Sequence, residues 1–195
     1  MKTKLIVDLA KLALRFGEVK RATFHPDGVT PESDTTHTVM LGLIACTVAA
    51  DIGYDESKAA QFALVHDLVE ANCGDTNTAF ITAEGREEKA KRERVARREL
   101  MQEFGAATWV MCWLERYEEQ EEPEARLVRY LDKVLPKITH MFNGCITVKA
   151  MGRSRQDLID AHDRQLKSLN EQYPELREAL GPLFADLAIR CENAW

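Results

Sequence analysis

Apolar residues recur at three- and four-residue spacing along almost the whole of this 195-residue chain, and no segment alternates convincingly enough to make a strand. That period dictates amphipathic helices, so the expected fold class is all-α, a helical bundle. The first helix is predicted over about 3–16, with Leu5, Leu9, Leu12 and Phe16 on one face and Gly17 as a stop. Residues 18–33 are expected to be irregular, punctuated by Pro26, Gly28 and Pro31. Further helices are predicted over about 34–51, 56–72, 83–104, 106–119, 123–142, 154–171 and 174–192. Pro136 lies inside one of them, where a proline removes the bond to the fourth preceding carbonyl, so a bend beside Asp132 is expected. No repeat and no Pro/Gly/Ser-rich linker interrupts the pattern, and domains average roughly 150 residues. A single domain over 1–195 is therefore expected.

The anomaly is where the chain places histidines and acids. His37 has Met40, Leu41 and Ile44 at helical spacing. His66 has Phe62, Ala63 and Val69, and the adjacent Asp67 has Ala63, Leu64 and Ala71. Asp132 sits beside Val128 and Leu135. An unpaired carboxylate on a buried face costs several kcal/mol, so such groups are paired or bound to metal. Two imidazoles and two carboxylates on three predicted helices can converge as a metal site within a bundle. A mixed N/O set without thiolate suits Mn²⁺, Co²⁺, Fe²⁺, Ni²⁺, Zn²⁺ or Mg²⁺. Four protein ligands leave an octahedral ion open positions for water and substrate, which marks catalysis. Glu70 shares a face with His66 and Asp67, and Asp75 follows Gly74; both suit a general acid or base beside the metal. A lone His-Asp dipeptide is weak evidence. A second one, His162-Asp163, lacks an accompanying Glu and is read as an ordinary surface pair. His37 alone reads as a core histidine and Asp132 alone as a partner of Arg129; the combination carries the metal-site reading.

Charge and cysteine usage narrow the partners. Lys and Arg number 26 against 32 Asp and Glu, a formal net charge of −6. Duplex nucleic acid, whose binding rests on phosphate neutralisation, is a poor partner for such a chain, whereas a small phosphorylated substrate needs only a local cation. The five cysteines are widely spaced without a CxxC pair, which argues against a disulfide framework and for a reducing, cytoplasmic setting. No apolar run is expected to approach the roughly 18 residues that span a bilayer, and the N-terminal stretch, with Asp8 and Lys11 inside it, reads as an amphipathic helix. The charge-dense segment 83–104 mixes both signs and is read as a solvated helix face.

The pattern His37, His66-Asp67, Asp132 resembles the HD-domain metal-dependent phosphohydrolase superfamily. Within it, ESDTTH at 32–37 and HDLVEANCGD at 66–75 resemble the 5′-deoxynucleotidase branch, with its ES-x-x-x-H followed by HD-x-x-E-x-x-x-GD. VKR at 19–21 resembles that branch's Val-x-Arg. The resemblance covers about 5–145, leaving C-terminal helices over about 154–192 without a matching motif. It implies an HD fold, a divalent metal cation (Co, Mn, Mg, Zn or Fe) held by His37, His66, Asp67 and Asp132, and a homodimer or higher homo-oligomer. It also implies Glu70 as catalytic acid/base, Asp75 as a supporting acid and Arg21 as phosphate anchor; Lys133, next to Asp132, is a further substrate-binding candidate. The branch commonly follows its arginine with a tryptophan that packs on the sugar. Here Ala22 follows, and Phe24 is the nearest aromatic.

The activity so implied is hydrolysis of a (deoxy)nucleoside 5′-monophosphate to nucleoside and phosphate. A dNTP triphosphohydrolase of the dATP type, releasing tripolyphosphate, is the alternative; Lys20 and Lys137 are its extra candidate cations. Alarmone hydrolysis fits less well, because Ala71 stands where HDxxED has its second acid, and no GYP motif occurs. A non-catalytic metal-bound nucleotide sensor would have no need of Glu70 and Asp75.

Overall fold

The computed structural model describes residues 2–78 and 80–195, and most of these are helical. The chain divides into two compact units. The first holds the N-terminal residues to Arg21 and Ser33–Val128. It contains α1 (Lys2–Glu18), α2 (Asp34–Ile52), α3 (Glu56–Val65), α4 (Glu70–Cys73), α5 (Ala83–Phe104), α6 (Thr108–Glu119) and the first turns of α7 (Pro123–Asn143).

Helix α2 begins where Ser33 caps it, its side chain accepting from Thr36 N at 3.2 Å. Such a cap is worth about 1 kcal/mol. The stripe His37, Leu41, Ala45, Ala49 is buried, and its small residues let α3 approach closely through Ala59, Phe62 and Ala63. The helix ends at Gly53, whose φ of 77° frees Tyr54 N to bond Ala49 O at 2.8 Å. Contrary to the sequence expectation about apolar runs, α2 is long and apolar enough to cross a membrane by length and composition, with a mean hydropathy of 1.4. Its first turn carries Asp34 and His37, both buried. Leu12, Val69, Leu100, Phe104, Val110 and Leu114 form a core among α1, α5 and α6 and the residue preceding α4.

The helix expected over 56–72 is interrupted. After Val65 the backbone closes bonds three residues back: Leu68 N to Val65 O, Glu70 N to Asp67 O and Ala71 N to Leu68 O. That is the tighter 3₁₀ pattern, in which residues three apart eclipse. His66 and Asp67 thus lie in a turn at the end of α3, with Glu70 one tight turn beyond Asp67. Gly74 ends α4 at φ 73°, ψ 160°, a conformation open to glycine and strained for other residues.

The second unit holds Ala22–Glu32 and Arg129–Trp195. Residues 18–33 are not wholly irregular: β1 (Lys20–Phe24) pairs with β2 (Pro31–Ser33). Asp27 accepts from Val29 N, Thr30 N and Thr30 Oγ1, which tightens the connection and holds its carboxyl down at about 2. The connection escapes a period test because its strands are too short to alternate visibly. Asn143 Nδ2 donates to Phe24 O at 2.8 Å and Thr147 Oγ1 to Ala22 O at 2.7 Å. Thr147 lies on α8 (Ile146–Ala150), a short helix absent from the expected set. Helix α7 runs on through Pro136 as one element. A capping box at Ser154 and Asp157 starts α9 (Arg155–Gln172), and a 3₁₀ turn at Pro174–Leu176 leads into α10 (Arg177–Asn193). The expected surface position of His162 is corrected: it is buried, and its Nδ1 lies 2.8 Å from Glu192 Oε1 where α9 packs on α10.

Candidate metal centre

His37, His66, Asp67 and Asp132 each offer a ligand atom, and these atoms all lie within 4.8 Å of one another. The first of them sits one turn into α2. The dipeptide sits in the turn after α3, and Asp132 lies midway along α7, where it is buried. Local hydrogen bonding prepares His66 for a cation. Its Nδ1 bonds Ala63 O at 2.7 Å, so Nδ1 carries the hydrogen and Nε2 presents its lone pair. Nε2 is buried without a hydrogen-bond donor among the described residues, 3.0 Å from Asp67 Oδ2. A lone pair facing a carboxylate oxygen repels it unless a cation lies between. Metal bonds of about 2.0–2.2 Å place neighbouring ligands roughly 3 Å apart at right angles. The residues present therefore fit a divalent ion with N/O ligation.

Acids crowd the rest of this site in the first unit. Arg21, the second residue of β1, donates through Nη1 to Asp34 Oδ1 at 2.9 Å and to Asp67 Oδ2 at 3.0 Å. Asp34, an acid not singled out from the sequence, is fully buried; burial raises its carboxyl to about 6 against the pull of Arg21, with the charges of Asp67 and Asp75 adding to the rise. It sits where a helix's first-turn acid ordinarily faces water, which is why its position alone gave no signal. Glu70 is 3% exposed, and burial, followed by the charges of Asp67 and Asp75, pushes it to about 10. Asp75, half-buried in the loop after α4, thus acts on its neighbours through its charge. Lys133 Nζ donates to Asp132 Oδ2 at 2.7 Å. Lys137 is buried in the second unit, hydrogen-bonded to Gln165 Oε1 with its ammonium 4.0 Å from the Phe184 ring.

One further residue emerges from the charged helix. Lys89 Nζ donates to Glu70 Oε1 at 3.1 Å and also to Glu93. Segment 83–104 is therefore solvated along most of its surface but not at this position. The available signal was a stripe: Ala96, Leu100 and Phe104 are buried, and the same three-and-four spacing extends back through Glu93 to Lys89.

The comparisons agree with this geometry. The family model described as HD domain matches residues 14–176. A curated relative, the 5′-deoxynucleotidase HDDC2 of Danio rerio, is 29% identical over 104 residues, covering 53% of this chain and 52% of its own. The chain thus spans about half the length of that relative. A crystal structure titled as a predicted metal-dependent phosphohydrolase from Magnetospirillum magnetotacticum MS-1 shares the fold, with a TM-score of 0.71 at 21% identity, over 97% of this chain and 94% of that one. The chain belongs to the HD-domain family.

Proposed function

We propose that this protein hydrolyses nucleoside 5′-monophosphates to nucleoside and orthophosphate, with His37, His66, Asp67 and Asp132 holding a divalent cation. The observation that carries the reading is the conjunction of the His/Asp cluster with a buried, independently held Glu70 and an arginine in the same network. When bound, the cation supplies Lewis acidity to the phosphoryl oxygens and to the attacking water.

The chain's own residues supply the rest. Arg21 presents a planar fork of donors that suits a phosphate better than a lysine point charge does. It is tethered by Asp34, so it remains at the site when a phosphate takes the place of Asp67 as its second partner. Glu70 is the proton-transfer group, positioned by burial and by Lys89, and its elevated affinity for a proton suits it to deliver one to the leaving 5′-oxygen. Asp75 supports that step by raising Glu70 electrostatically. The relative named a 5′-deoxynucleotidase supports a monophosphate. The buried position of Lys137 removes one of the cations that a triphosphate would need. The reading includes a homodimer in a cytoplasmic setting, of which sedimentation equilibrium tests the first.

The test is to incubate the protein with Mn²⁺, Co²⁺ or Mg²⁺ and a panel of NMPs, dNMPs and dNTPs, and to separate the products by chromatography. Orthophosphate from monophosphates is expected. Tripolyphosphate from dNTPs would transfer the same residues to the triphosphohydrolase reading, and metal binding without turnover would overturn both.

A further inference from the structure

We propose that Lys89 is a positioning residue for Glu70, and that the charged face of α5 belongs to the reaction site. The inference rests on the function proposed above. Its observation is a largely buried ion pair between the consecutive helices α4 and α5. Lys89 Nζ lies 3.1 Å from Glu70 Oε1, with side chains 20% and 3% exposed. Glu93, one turn further along α5, holds the same ammonium from behind. Two other contacts secure the segment around α4: Arg92 Nη2 donates to Thr76 Oγ1 at 2.7 Å, and Asn72 Nδ2 donates to Glu99 Oε2 at 3.4 Å.

The consequence is a division of labour between the two oxygens of Glu70. Oε1 is committed to Lys89. Oε2 is buried, has no hydrogen-bond partner among the described residues and lies 3.8 Å from Arg21 Nη1. A carboxylate free to rotate would offer either oxygen in any orientation. One anchored by an ammonium offers Oε2 in a single orientation, as a proton-transfer group requires. Lys91 on the same helix is the contrast: its pair with Glu87 is 63% and 70% exposed, a surface contact of little energetic weight.

The experiment measures kcat and KM on a deoxynucleoside monophosphate for wild type, Lys89→Met, Lys89→Arg and Lys91→Met, and for Lys89→Met in a Glu70→Gln background. Calorimetry measures Mn²⁺ affinity for each variant. Lys89→Met is expected to lower kcat about 10- to 100-fold, the usual effect of removing a partner that orients a site group. KM and Mn²⁺ affinity should stay within about threefold, Lys89→Arg should recover most of the loss, and Lys91→Met should match wild type. In the Glu70→Gln background the lysine change should cost less than about twofold, because coupled residues are not additive. An unchanged kcat in Lys89→Met, or an equal loss in both backgrounds, overturns the inference.

If wild type turns over no nucleotide, the functional reading fails by itself. The contact is then read by ¹⁵N NMR of the lysine ammonium groups. A slowly exchanging Lys89 Nζ signal that is lost in Glu70→Gln supports the anchor, and one that is insensitive to the substitution overturns it.

Discussion

The chain carries the dipeptide His-Asp twice, and the two copies have different fates. His66 spends its Nδ1 on a backbone carbonyl and keeps a buried, bare Nε2, while Asp67 is drawn by Arg21 into a network of acids. His162 points its Nδ1 at Glu192, and Asp163 is left exposed. Burial, reinforced by the charge of Lys137, depresses His162 to about 3, so at neutral pH that contact is a hydrogen bond from a neutral imidazole. Negative charge accumulates around the first copy: Asp34, Asp67, Glu70 and Asp75 act on one another there, with Arg21 paired to Asp34 and Lys89 to Glu70. An imidazole is suited to ligate a metal where its second nitrogen is buried among anions without a donor. It is a structural residue where both the ring and its acid partner satisfy each other.

Breaking the first copy should have the largest effect. Asp67→Ala, or chelation of the wild type with EDTA, should lower hydrolysis by about 10³-fold, since Lewis-acid stabilisation contributes several kcal/mol. Calorimetric Mn²⁺ titration of the variant should show the affinity lost with it. His162→Ala should leave Mn²⁺ affinity unchanged and destabilise the fold by about 2 kcal/mol in urea titration, because Glu192 loses its partner.

Acid sharpens the same contrast. The folded state binds no proton at His162 between its depressed value of about 3 and the ordinary 6.5, where the unfolded chain does. The contribution is therefore intact above 6.5 and declines as the pH falls, by up to about 1.4 kcal/mol per pH unit. His140, lowered to about 4 by burial, adds a decline of the same sign. Between pH 6 and 5 the stability of His162→Ala should consequently vary less steeply than that of wild type, as urea midpoints at each pH would record. Smallest of all, Asp163→Ala should change stability by less than about 0.5 kcal/mol and activity not at all. A large loss there would dissolve the distinction between the two copies.

Much of this molecule was legible from local pattern. The predicted span 83–104 coincides with α5 (Ala83–Phe104), and the predicted span of about 34–51 closely matches α2 (Asp34–Ile52), because period is a property of adjacent residues. His37, His66, Asp67 and Asp132 stood out because each is a polar group on an apolar stripe, and desolvation makes such a placement costly. The break after Val65 was less visible. The apolar pattern runs through it, and only the shift to bonds three residues back, stabilised by the packing of Val69, ends the helix.

What the sequence by itself determined is the fold class and the candidate donor set, since helical period and donor chemistry are carried by each short stretch alone. Tertiary structure decided the partners: Asp34 for Arg21, Lys89 for Glu70, and Glu192 for His162. The last two join residues 19 and 30 positions apart on different elements. Charge interactions depend on distance and burial, and neither exists until the helices have packed.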